Sequence, residues 1–138
     1  MGIFAGSMLT EGCVLVPYWR SLSSADFFVW YAANGQRLQG FFGPLTTITA
    51  VLTISAAIVS LWEIHPNSWF ALLVAVISVA IVSTFFLYFK NANASFATAN
   101  LSVDELEKEL THWSIWHWSR TGPSLTALTM SMLSLWKR

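Results

Sequence analysis

The chain has 138 residues, enough for one domain and not two. Hydrophobic residues make up 55% and charged ones only 10%, against the ~25% charge of a typical soluble domain, which excludes both a disordered chain and a water-soluble globule. Seven basic residues balance seven acidic ones, so no field exists for phosphates to follow and a nucleic-acid binder is excluded; a small integral membrane protein remains.

In chain order, Gly2 to Trp19 is apolar except for Glu11. It reads as a first span, residues 2–19, which Pro17 should end. It is short for a span, as if the native start lay upstream. Met1–Thr10 lacks a basic region and a small-residue cleavage site, so no cleavable signal peptide is expected. The first connector, Trp19 to Leu38, carries Ser24, Asp26, Asn34 and Gly35. Ser24 is expected to cap a short interfacial helix over Asp26–Tyr31. Leu38 to Trp62 then runs 25 residues without a charge, giving a second span at 41–62. Glu63 to Ser68, with His65-Pro66-Asn67, reads as a tight turn. Pro66 to Phe89 is uncharged for 24 residues and gives a third span at 67–89. The third connector, Asn91 to Thr111, is strongly polar. Ser102 and Glu105 have capping-box spacing and should open a second short helix over Val103–Thr111. The fourth span, 113–136, carries His117 and Arg120 in its first turns, and Gly122-Pro123 should loosen it. The sum is an all-α, integral membrane four-helix bundle in one domain, with short interfacial helices in the first and third connectors.

Four spans put both termini on one side. Arg20, Arg37, Lys90 and Lys108 then share the side of the first and third connectors, against Lys137 and Arg138 on the other. That asymmetry predicts those two connectors on the cytoplasmic face, in a bacterial inner membrane. The lone cysteine, Cys13, excludes an intramolecular disulfide and a cysteine-rich metal site.

Charge inside an apolar helix costs most. A carboxylate at Glu11 costs at least ~2.5–3.5 kcal/mol to insert without a partner. Helix direction brings Glu11, His117 and Arg120 toward one membrane face, so Glu11 is expected to meet Arg120 or His117. Such a cluster reads either as a base or proton relay, with Arg120 holding an oxyanion, or as an ion pair that fixes helix register. Asn91, Asn93, Asn34 and Arg37 belong to the same side and read either as ligand contacts or as helix and turn caps. Trp113, His117, Arg120 and Ser124 fall on one helix face, with Trp116 and Trp118 beside it. That face reads as a wall for a flat ligand or as part of an aromatic belt, with Trp19, Trp62, Trp69 and Trp136 at span ends. His117 with Glu11 offers two metal ligands where iron or copper wants three or more. His112 points about 140° away from His117. No metal and no other cofactor is expected.

Several strings carry a further signal: Gly2-Ile3-Phe4-Ala5-Gly6, Glu11, Val16-Pro17 with Arg20, Phe41-Phe42-Gly43-Pro44-Leu45, Asn91-Ala92-Asn93 and Trp113-x-x-Trp116-His117-x-x-Arg120. Together they resemble the anthrone-oxygenase-like family of small four-helix membrane proteins, over nearly the whole chain. The resemblance implies that Glu11, Asn91, Asn93, His117 and Arg120 are the matching polar positions. It also implies a first helix that begins several residues upstream. Fungal members with an assigned role oxidise an anthrone to an anthraquinone, and the family pattern fixes no cofactor.

Two functions follow as expectations. The first is an oxygenase-like enzyme or binder for a lipophilic aromatic molecule, anthrone- or quinone-like. Its catalytic residues would be Glu11, His117 and Arg120, and its ligand contacts Asn91, Asn93, Trp113, Trp116, Arg37 and Asn34. The second is a non-catalytic accessory subunit of a respiratory or photosynthetic complex. The expected partners are the lipid bilayer, a lipophilic aromatic small molecule and other membrane subunits. A transporter is disfavoured, since no inverted repeat is visible.

Overall fold

A computed structural model describes residues 1–64 and 66–136, with side chains through Leu133. His65 of the expected turn, the Trp136 side chain and the basic pair Lys137-Arg138 lie outside the described residues and side chains. Among the described residues the chain forms four helical rods and no strand.

The first rod, α1, runs Gly2–Thr10, then a wider π-turn over Glu11–Leu15, then Val16–Ser21. Pro17 does not end it. Proline lacks an N–H and crowds the carbonyl four residues back. The helix answers by widening just ahead of it, so that the Val16 N–H bonds to the Glu11 carbonyl five residues back.

The second rod, α2, spans Ser24–Trp62. Its cap is Ser23 and not Ser24: the Ser23 hydroxyl oxygen accepts from the Asp26 N–H at 3.1 Å and donates to the Asp26 carboxylate at 2.6 Å. The short helix expected in the first connector is simply the start of α2. Asn34 does not break it, because its side-chain amide donates to the Trp30 carbonyl at 2.9 Å. Gly35 does not break it either. The Tyr31 ring lies across Gly35, where a Cβ would sit 2.7 Å from a ring carbon.

The third rod, α3, covers Ser68–Thr98, with a π-turn over Phe85–Phe89. It ends at Ala99, which takes the left-handed conformation (φ 51°). The fourth, α4, spans Val103–Trp136 and passes through Pro123. Its start is the expected capping box. The Glu105 N–H donates to the Ser102 hydroxyl at 3.4 Å, and the Ser102 N–H and hydroxyl donate to the Glu105 carboxylate at 2.8 and 2.7 Å. The helix expected over Val103–Thr111 is therefore not separate from the fourth span. Backbone hydrogen bonds do not stop where side chains turn polar, so both connector helices merge with their spans. At 1.5 Å per residue, α2 is about 58 Å long and α4 about 51 Å, well beyond the ~30 Å of a hydrocarbon core. Two rods, α2 and α3, are long and apolar enough to cross a membrane.

The rods pack as neighbours in the order α2, α3, α4, α1. Their two cores differ. At the end holding the loops 22–23 and 99–102, Trp19, Phe27, Tyr31, Phe89, Phe96 and Trp113 form an aromatic core with Leu106 and Leu110. Trp19 is its hub, edge-on to Phe27, Trp30, Tyr31 and Trp113 at centroid distances of 5.3–6.2 Å. It is 1% exposed and so has no place in an aromatic belt. A smaller core of Phe4, Met8 and Ile81, flanked by Phe42, Leu45 and Ile77, sits at mid-height. Toward the α2–α3 turn, large apolar side chains face outward, among them Ile48, Leu52, Ile58, Trp62, Trp69 and Val76.

The Ser102 hydroxyl and amide hold the Glu105 carboxyl below the usual carboxylate range. A carboxyl lowered in the folded state stabilises above its unfolded pKa and loses that contribution as pH falls through the folded value. Hydrogen-exchange protection of the bonded Ser102, Glu105 and Leu106 amides is therefore expected to hold at neutral pH and to decline as acidification protonates the Glu105 carboxylate. Ser102→Ala removes the hydroxyl but keeps the backbone N–H, so it is expected to weaken that pH dependence, and Glu105→Gln to abolish it.

Candidate functional site

Glycine lets α1 approach α4. A Cβ at Gly12 would stand 3.1 Å from the His117 ring and 3.2 Å from the Trp118 ring. The close approach buries His117 completely, at 0% exposure. Its Nε2 lies 2.8 Å from the Met8 carbonyl oxygen. A carbonyl only accepts, so Nε2 carries the proton and donates. The Nδ1 nitrogen lies 3.1 Å from Arg120 Nη2. A guanidinium only donates, so Nδ1 accepts. The Trp113 ring stacks on the His117 ring at 5.1 Å and 7°, which fixes its plane.

Glu11 completes the cluster. Its Oε2 lies 3.4 Å from Arg120 Nη2 and 3.4 Å from His117 Nδ1. Arg120 Nη2 thus serves two acceptors, one on α1 and one on α4. The guanidinium also lies 3.8 Å above the Phe89 ring of α3, a cation–π contact. That contact depends on the α3 π-turn. Eight residues separate Phe89 from Ile81, both buried, and an ideal helix would turn them about 80° apart. The wider turn brings Phe89 back to the inner face.

Beside the cluster lies a cleft of about 330 Å³. Glu11, Arg120, Trp19, Trp113, Asn93 and Tyr31 line its polar end; Leu38, Phe42, Ile81, Val82, Phe85 and Phe89 form its apolar walls. Gln39, Gly43, Thr46 and Thr47 of α2 also border it. Both π-turns contribute to it, Glu11 from one and Phe85, Phe86 and Phe89 from the other. Such turns recur at functional sites.

The expected site residues divide. Glu11, His117 and Arg120 come together as one cluster, but only Glu11 and Arg120 reach the cleft; His117 stands behind them. Asn93 and Trp113 also line it, joined by a hydrogen bond from Trp113 Nε1 to Asn93 Oδ1 at 3.1 Å. The other four are absent from it. Trp116 stacks on Tyr88 at 5.1 Å and donates to His112. Asn91 and Arg37 are exposed, and Asn34 is spent on its own helix. Asn91 and Asn93 cannot share a face, since two helical residues point about 200° apart. The sequence reading missed the α2 wall and Trp19. Gln39, Gly43, Thr46 and Thr47 recur at helical spacing and were the available signal for a polar, small-residue stripe. Among the described residues, no group of three or more His, Cys, Asp and Glu side chains gathers.

Comparisons of this chain with protein-family models, with curated proteins and with solved structures gave no match.

Two outcomes are expected from substitution. Gly12→Ala must push His117 by a few tenths of an ångström and should cost about 1–3 kcal/mol in chemical denaturation. Arg120→Met leaves Glu11 buried without its cation and should cost about 3–5 kcal/mol. Adding Glu11→Leu to Arg120→Met should restore most of that loss. A double variant as unstable as the sum of the singles would show that the two charges are not coupled.

Proposed function

We propose that this chain is an integral membrane protein whose cleft takes a lipophilic aromatic molecule, anthrone- or quinone-like, and moves a proton on it. The observation that carries this reading is the cleft itself: an aromatic and aliphatic slot of about 330 Å³ that ends on the Glu11–Arg120 pair. The two long apolar helices and their outward Ile, Leu, Val and Trp side chains support a bilayer setting. In that setting the four rods cross the bilayer, α1 over residues 2–19, so that both termini share one side. The aromatic core, with Arg20, Arg37, Lys90 and Lys108 around it, faces the cytoplasm.

The chemistry suits a ring whose carbonyl acidifies a C–H bond. As a carboxylate, Glu11 takes the proton, and the electron pair moves through the ring toward the carbonyl oxygen. Arg120 lies beside Glu11 and stabilises that charge. His117 does not touch the ring. It is a positioning residue: its Nδ1 holds Arg120, and the Met8 carbonyl holds His117 in the tautomer that can do so. Dioxygen adds to the carbanion, a proton completes a hydroperoxide, and loss of one water leaves the quinone. The resemblance to anthrone-oxygenase-like proteins supports this choice of substrate.

The test is anthrone oxidation by protein reconstituted in lipid nanodiscs, followed by oxygen uptake and quinone absorbance. Glu11→Gln is expected to slow turnover by ~100-fold or more, the scale of a lost general base. Arg120→Lys is expected to slow it by ~10–100-fold, because a point charge replaces a planar fork. Equal rates in the wild type and Glu11→Gln would end the catalytic reading. Stoichiometric co-purification with a pigment or cytochrome complex, without turnover, would favour an accessory subunit.

A further inference from the structure

Most polar groups in this interior have partners. Thr49 apart, the buried hydroxyls bond their own helices, Thr53, Ser78, Thr121 and Ser124 among them. Among the described side chains, two buried nitrogens lack a partner: Trp19 Nε1 and Arg120 Nε. Both are N–H donors, and neither can accept. A buried donor left unpaired costs about 1–3 kcal/mol, so native structures rarely keep one without reason.

Trp19 comes from α1 and Arg120 from α4, yet both line the cleft. Both flank the same ring, with Trp19 5.3 Å and the Arg120 guanidinium carbon 5.7 Å from Trp113. Each is held rigidly. Trp19 is wedged among the four rings of Phe27, Trp30, Tyr31 and Trp113 at the hub of its core. Arg120 is fixed through Nη2 by Glu11 and His117 and from beneath by Phe89. Neither can swing to find a protein acceptor without breaking those contacts. The Asn93 carboxamide oxygen, on a residue that also lines the cleft, accepts from the Trp113 indole and is bonded to neither donor.

From this arrangement we propose that Trp19 and Arg120 form a two-donor seat for the oxygen-bearing edge of the cleft's ligand. The inference rests on the reading of the cleft as a site for a lipophilic aromatic molecule, and adds its orientation and its required chemistry. The ligand presents an acceptor oxygen, a ring carbonyl or a phenolate, to the Trp19–Arg120 end. Its apolar body lies along Phe42, Ile81 and Phe85. Two donors with no acceptor beside them select for acceptors. A hydrocarbon of the same shape leaves both N–H groups unpaired. Trp19 is thus a specificity residue, and Arg120 acts through two different nitrogens, Nη2 inward to the cluster and Nε toward the ligand.

The test uses a matched pair of probes, anthraquinone and anthracene, which share a three-ring frame and differ in oxygen acceptors. Protein labelled with 15N at tryptophan is studied in nanodiscs. Trp19→Phe identifies the Trp19 indole resonance by its loss. With the wild type, anthraquinone is expected to bind at least ~10-fold tighter than anthracene, the value of one to two recovered hydrogen bonds. The Trp19 indole N–H is expected to move downfield with anthraquinone only. In Trp19→Phe the preference for anthraquinone should fall to ~3-fold or less. Equal affinities with an unmoved Trp19 resonance would overturn the donor seat and leave the cleft reading intact. Binding of neither probe would overturn the cleft reading and the seat with it. The wild-type comparison stands even if Trp19→Phe fails to fold.

Discussion

The approach of α1 to α4 at Gly12 is the constraint on which the rest depends. A Cβ there would crowd the His117 and Trp118 rings at 3.1–3.2 Å, so glycine lets the His117 ring seat without a shift. With the ring seated, its Nε2–H finds the Met8 carbonyl and its Nδ1 turns to Arg120. Arg120 then reaches Glu11. Along this chain each group finds its partner in the one before it, and Arg120 Nε alone of these nitrogens stays unpaired. The order matters energetically, since an unpaired charge at this depth would cost several kcal/mol.

The two π-turns serve the same end from opposite walls. In α1 the wide turn absorbs Pro17, so the helix continues to Trp19 and the aromatic hub. In α3 it returns Phe89 to the interior, beneath Arg120. A regular helix in either place would separate the polar cluster from the aromatic core. With both turns, the core closes one end of the cleft and leaves the other end apolar. The polar groups gather at one pole of a hydrophobic slot, an arrangement that suits an amphipathic ring better than a purely apolar or purely polar ligand.

Much of this was legible in the residues, for physical reasons. Two helices followed from uncharged run lengths, and two more from apolar segments interrupted by Glu11 and by His117 with Arg120. The Ser102–Glu105 box followed from its spacing. The α4 face of Trp113, His117 and Ser124 followed from helical period, and these side chains are buried as that period requires. The meeting of Glu11 with Arg120 and His117 followed from helix direction and the cost of buried charge. Other features were not legible. Polarity marks where a helix leaves an apolar environment and not where its backbone bonds end, so the helices over 26–31 and 103–111 read as separate pieces. Pro17 read as a stop because a π-turn has no compositional sign. Trp19 read as a belt residue because hub and belt tryptophans look alike in one dimension. Asn91 was grouped with Asn93 by membrane side and by the resemblance, and helical rotation sets the two apart.

The central claim is that the slot beside Glu11 and Arg120 is a ligand site. Benzophenone tests it most directly, since it is an aromatic ketone that bonds to nearby C–H groups when irradiated. Wild-type protein in nanodiscs would be irradiated with it, with and without excess anthraquinone, and the adducts mapped by mass spectrometry. The account predicts adducts at Phe42, Ile81, Val82 or Phe85 that anthraquinone suppresses. Adducts spread over the outward faces of α2 and α3, at Leu52, Ile58 and Val76 for example, with none suppressed by anthraquinone, would contradict it.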